Sequence, residues 1–185
     1  MRIFSTLTPT VWKFTALSML VAGTFGALHD QISYTVSPEF FTRFKFIQFG
    51  LTDADVPERL RAATVGFLAT WWMGVPIGLI TGVASRRHPT EAQRRRALLW
   101  SLPLMMAVTL AFALAGLALG FSMTSPNAKA YETWWMYLPP NLQDPQNYIC
   151  AGLMHDAAHL GGAISIPIAW AFHALYRRRW AKKLT

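Results

Sequence analysis

The stretch Ala97-Leu-Leu-Trp-Ser-Leu-Pro-Leu-Met-Met-Ala-Val-Thr-Leu-Ala-Phe-Ala-Leu-Ala-Gly-Leu-Ala-Leu-Gly-Phe121 carries no charged side chain and almost no polar one. About 20 such residues suffice for a helix to cross a hydrocarbon core, so a membrane-spanning helix is expected over about 97–121. Ala113, Gly116 and Gly120 provide small residues for close contact with a neighbouring helix.

Reading outward, three more apolar runs are long enough to cross. One covers about 58–84 and follows Asp53-Ala54-Asp55-Val56-Pro57, a helix-start pattern of an Asp cap and a first-turn proline. Gly74, Pro76, Gly78 and Gly82 inside it predict a kink or a close helix contact. The others cover about 149–176 and about 11–28. The latter resembles a signal peptide with small residues at Gly26-Ala27, but the first Met is retained and an uncleaved helix is expected. The expected fold is all-α: one integral membrane domain over 1–185, a polytopic bundle of four transmembrane helices with two aromatic-rich outer loops and a tail over 177–185.

The composition agrees. With 53% hydrophobic and 14% charged residues, a chain of 185 residues is too apolar for an ordinary soluble domain. The net charge of +8 does not point to nucleic acid, because the basic residues form two short blocks beside apolar runs, as orientation signals do. Arg86, Arg87, Arg94, Arg95 and Arg96 make one block, opposed only by Glu91; Arg177, Arg178, Arg179, Lys182 and Lys183 make the other. Both belong on the cytoplasmic side, which puts both termini there and turns the other two loops outward. The single cysteine, Cys150, excludes an internal disulfide and any multi-cysteine cluster.

The outer loops are rich in rings. Tyr34, Phe40, Phe41, Phe44, Phe46 and Phe49 are too many for a solvated linker and should lie on the membrane surface or pack over the helices. The alternation in Phe40-Phe41-Thr42-Arg43-Phe44-Lys45-Phe46 allows a short amphipathic strand or an extended interfacial segment. Tyr131, Trp134, Trp135 and Tyr137 in the second loop read as an interfacial belt before a ligand cage.

The chemistry concentrates in Met154-His155-Asp156-Ala157-Ala158-His159-Leu160-Gly161-Gly162. His155 and His159, four residues apart, project from one helix face as metal-ligand pairs do. Asp156, about 100° around from His155, can ligate from the edge or orient an imidazole. Leu28-His29-Asp30 repeats the pattern in the first helix, and antiparallel topology brings both pairs to the outer boundary. The candidate metal set is therefore His29, Asp30, His155, Asp156 and His159, with Glu39 the most plausible loop contribution and Glu132 a further one. Such nitrogen and oxygen donors suit zinc, iron, copper or manganese. The competing reading is a hydrogen-bonded clamp between two helices.

Haem ranks below a bare ion. Its axial pairs would be His29 with His155 or His159 outside, and His88 with His173 inside, but His88 sits beside Pro89 in an arginine-rich loop. Nucleophile-elbow, phosphate-loop and His-Glu-x-x-His patterns are absent from the sequence.

The run from His29-Asp30-Gln31 through Tyr34 to Glu39-Phe40-Phe41-Thr42 resembles a segment of uncharacterised small bacterial integral membrane proteins with a His-Asp-Gln start and a Glu-aromatic-Phe-Thr stretch. The resemblance implies a bacterial inner (cytoplasmic) membrane, with the outer loops periplasmic, and no particular activity. It marks His29, Asp30, Gln31, Tyr34 and Glu39 as one unit.

Two functional expectations follow. One is a metal-dependent membrane enzyme acting on a lipid or small molecule from the outer face. The other is a non-catalytic accessory or assembly subunit, whose mark would be partner contacts along the Ala113, Gly116 and Gly120 face or the aromatic loop. Membrane lipids and other membrane subunits are the expected partners, and transport is the weakest option because the 97–121 run has no polar stripe.

Overall fold

The computed structural model describes residues 8–125 and 136–181. Those residues are helical with no strand, and four helices are long and apolar enough to cross a membrane. We label them α1 (Pro9–Val36), α2 (Glu58–Ser85), α3 (Glu91–Met123) and α4 (Pro145–Ala181).

Local chemistry sets their ends. Pro9 occupies the first turn of α1, where its missing N–H costs nothing, and Ser37 before Pro38 is extended, as a residue preceding proline should be. The Thr90 hydroxyl caps α3 by accepting from the Gln93 amide at 3.3 Å. Asp144 caps α4 through the Asn147 amide at 3.0 Å, with Pro145 following. Within α2 a 3-10 turn at Trp71–Met73 breaks the regular helix, because Pro76 has no N–H to give the Trp72 carbonyl. The kink expected from Gly74 and Pro76 is therefore present.

Three boundaries differ from the sequence reading. Helix α1 runs on to Val36 rather than stopping near residue 28, because Gly26, His29, Asp30 and Ser33 continue its buried face at helical spacing. Helix α4 begins at Pro145 and carries Arg177, Arg178 and Arg179 into its last turns instead of releasing them as a tail. The third difference is a correction: residues 38–48 are not extended. They form short helical turns, Pro38–Phe40 and Phe46–Gln48, joined through a π-helical turn at Phe41–Lys45. Burial explains it, since the wound segment drives Phe40, Phe41 and Phe46 into a cluster with Tyr148, Val65 and Ala62. The ring-rich stretch thus packs over the helices, one of its two expected dispositions.

The bundle consists of two antiparallel pairs. In α1–α2 the backbones touch where Gly26 meets Gly66, and Gly74 and Gly78 lie against Met19 and Thr15. In α3–α4, Gly116 receives Ala157 and Leu153, and Gly120 receives Cys150. The two pairs meet less closely than the helices within each pair. Leu20, Leu114, Leu119 and Trp170 remain exposed on the outside, as befits a surface facing hydrocarbon. Helix α1 begins and α4 ends at the end of the arginine-rich 86–90 connection; the opposite end, under the 38–48 segment, holds the site.

Candidate metal centre

Helix α1 delivers His29, Asp30 and Ser33, and α4 delivers His155. His29 and Asp30 are almost fully buried, and the His29 Nδ1 donates to Asp30 Oδ1 at 3.0 Å. A carboxylate only accepts, so in the neutral imidazole the proton belongs on Nδ1 and Nε2 is the ring nitrogen able to ligate. That Nε2 is buried without a hydrogen-bond partner, and so is Asp30 Oδ2. The His155 Nε2 lies 3.6 Å from Asp30 Oδ1 and shares a 3.1 Å hydrogen bond with Ser33 Oγ. The two imidazoles meet nearly perpendicular, at 87° with centroids 4.8 Å apart. One ligand atom from each of His29, Asp30 and His155 lies within 4.8 Å of the others. Tetrahedral ligands about 2.0–2.1 Å from a zinc ion stand about 3.3 Å apart, so closure on a metal takes side-chain shifts of about an ångström.

Phe40 and Phe41 roof the cluster, their ring centroids 5.1 and 6.1 Å from that of His155. This is why the 38–48 segment must wind: the π turn brings Phe41 over His155 and turns Lys45 toward a cavity below the roof. The Lys45 Nζ rests 4.8 Å from the Phe44 ring centroid and donates to Gln48 Oε1 at 3.2 Å. Burial pushes its pKa down, while the charges of Asp30 and Asp156 oppose that shift.

The remaining sequence candidates lie around this core. His159 faces the same cavity, and its Nδ1 donates to the His155 carbonyl at 2.8 Å, leaving Nε2 as an acceptor. Asp156 is exposed one residue beyond His155 and is not among the three clustered groups. Glu39 is engaged elsewhere, accepting from the amides of Gln143 and Asp144 at 2.9–3.1 Å and tying the 38–48 segment to the start of α4. Gln31 and Tyr34 pin the start of α2, through the Arg59 carbonyl at 3.0 Å and through Glu58. Glu132 and the aromatic residues Tyr131, Trp134 and Trp135 lie outside the described residues.

Sequence reasoning missed Ser33 and Lys45. Ser33 was detectable as the residue one turn after His29, on its face. Lys45 was not, because its direction depends on the π turn. At the far end His88 Nε2 and His173 Nδ1 share a hydrogen bond of 2.9 Å.

Compared with known protein families, curated proteins and solved structures, the chain matches none of them.

Proposed function

We propose that the protein is an integral membrane protein of the bacterial inner membrane, with both termini cytoplasmic, holding a transition-metal ion at its outer face between His29, Asp30 and His155. The observation that carries this reading is the convergence of one ligand atom each from His29, Asp30 and His155 within 4.8 Å of one another, at a place where His29 Nε2 and Asp30 Oδ2 are buried without a hydrogen-bond partner. His155 would give up its bond to Ser33 to hold the ion. With three ligands among the described residues, a position would be left for water or substrate, as catalytic centres keep one. The ion would polarise an oxygen brought from the cavity, and His159 Nε2 stands there to accept a proton.

A second reading is a polar clamp in an accessory or assembly subunit, favoured by the Ser33–His155 bond and the approach of His155 to Asp30. Against it stands the state of the pair: a clamp makes no use of His29 Nε2 and Asp30 Oδ2, which are buried without hydrogen-bond partners. The face expected to receive a partner is also occupied, since Ala113, Gly116 and Gly120 are buried, the two glycines against α4.

The test is elemental analysis of untagged protein purified in mild detergent, beside a His29→Ala, His155→Ala variant. Near-stoichiometric zinc, iron, copper or manganese that disappears in the variant supports the metal centre. Metal-free protein in both samples, with the variant only less stable, leaves the clamp.

A further inference from the structure

A cavity of about 350 Å³ lies between the two helix pairs, directly below the cluster. Its lining runs from Asp30 to Ser18 on α1, and from His155 to Ser165 on α4. At 1.5 Å per residue these are about 18 and 15 Å along the axis, half or more of a hydrocarbon core. The cavity is a shaft parallel to the helices.

Its polarity is one-sided. The hydroxyls along the shaft are taken up by backbone carbonyls: Ser18 donates to Phe14 at 2.8 Å, Thr109 to Met105 at 2.9 Å and Ser165 to Gly162 at 2.7 Å on their own helices, and Thr70 reaches Gly66 at 2.7 Å and Ala22 of α1 at 2.8 Å. What remains facing inward is Phe25, Leu68, Leu102, Met105 and Met106. The unpartnered polar atoms His29 Nε2 and Asp30 Oδ2 lie at one end, together with the side chains of Lys45 and His159. Leu68 and Trp72 line the shaft and are 42% and 53% exposed.

We infer that this shaft binds a single-chain lipid, its hydrocarbon chain between the helix pairs and a terminal oxygen function, hydroxyl or carboxylate, beside His29, Lys45 and His159. The match is of kind and of place: an apolar body that calls for no hydrogen bonds, and one polar end that meets donors and acceptors together. Chain binding rests on the shaft alone. Only the meeting of the head group with a metal rests on the function proposed above.

Gly162 provides the test. A Cβ there would meet only the Met73 Cε, at 3.4 Å, whereas at Gly26, Gly66 or Gly74 it would strike backbone. Gly162→Phe therefore starts a ring at the shaft wall from a Cβ that strikes no backbone, and Gly162→Ala is its mild control. The probes are a medium-chain alcohol carrying a mid-chain diazirine and the corresponding carboxylic acid, cross-linked to protein in nanodiscs and mapped by peptide mass spectrometry. Expected is saturable labelling near Phe25, Met105 and Met106, displaced by the unlabelled alcohol or acid. Excluding two or more methylenes, at about 0.8 kcal/mol each, should cut it roughly tenfold or more in Gly162→Phe but not in Gly162→Ala. Preference for the acid identifies carboxylate as the head group, and preference for the alcohol identifies hydroxyl.

Labelling confined to outward residues such as Leu20, Leu114 and Leu119, or equal in Gly162→Phe, overturns the inference. If Gly162→Phe does not fold, non-saturable labelling of the native protein overturns it equally. Labelling is read separately from metal content, so shaft labelling that persists in the metal-free His29→Ala protein would keep the lipid site whatever the fate of the ion.

Discussion

His29 and Asp30, adjacent in sequence and both buried, share a 3.0 Å hydrogen bond that leaves His29 Nε2 and Asp30 Oδ2 without hydrogen-bond partners. Replacing Asp30 by Asn keeps an oxygen able to receive the Nδ1 proton but removes the negative charge and, with it, a ligand. If the pair holds a metal, Asp30→Asn should weaken metal affinity by about 10–100-fold while the fold persists. Competition with a chelator of known affinity reads this directly, and unchanged affinity would remove Asp30 from the site.

The membrane-type fold was legible in the sequence because four long, predominantly apolar runs with few charges admit few other structures. The site was legible in part. His29, Asp30 and His155 were named because ionisable residues inside apolar runs are conspicuous, and antiparallel topology put them at one end. Glu39 was drawn into the same set by proximity in the chain, but its carboxylate turns to the Gln143 and Asp144 amides. The start of α4 lies more than a hundred residues on, and no local pattern announces that partnership. The shaft was invisible for a similar reason. Ser18, Thr109 and Ser165 read as scattered polar residues, and only their bonds back to their own carbonyls make the lining apolar.

Glu39 can be separated from the proposed metal ligands by its effect. Glu39→Ala removes charge-assisted bonds to two backbone amides, contacts typically worth about 1.5–3 kcal/mol when a charged group is involved. Its solvent-accessible position argues for the lower end. Thermal unfolding in detergent should show that loss, with metal content unchanged. A parallel loss of metal at intact stability would return Glu39 to the coordination sphere.

Gly26 and Gly66 face one another across α1 and α2 so closely that a methyl on either would enter the other's backbone. Gly66→Ala should destabilise the protein by about 1–3 kcal/mol, the usual range for overpacking a tight contact. Gly162→Ala, which meets only one flexible methionine, should stay near native. Equal midpoints for the two variants in thermal unfolding would mean that the α1–α2 contact is looser than it stands here.

His88, in the connection between α2 and α3, contacts His173 at 2.9 Å and packs its ring on Tyr176. Burial, followed by the charges of Arg177 and Arg94, holds its pKa below the usual 6.5. Because the folded pKa is depressed, the unfolded chain takes up the proton first on acidification. The contribution of His88 to stability is thus complete above about pH 6.5 and falls away as the pH drops through the folded pKa. His88→Gln removes the titration while keeping a hydrogen-bonding side chain. Unfolding midpoints measured from neutral to mildly acidic pH should therefore fall less steeply in the variant than in the native protein. Native and variant profiles of the same slope would show that His88 is not the group taking up the proton, and that the acid sensitivity of this end lies with His173 or elsewhere.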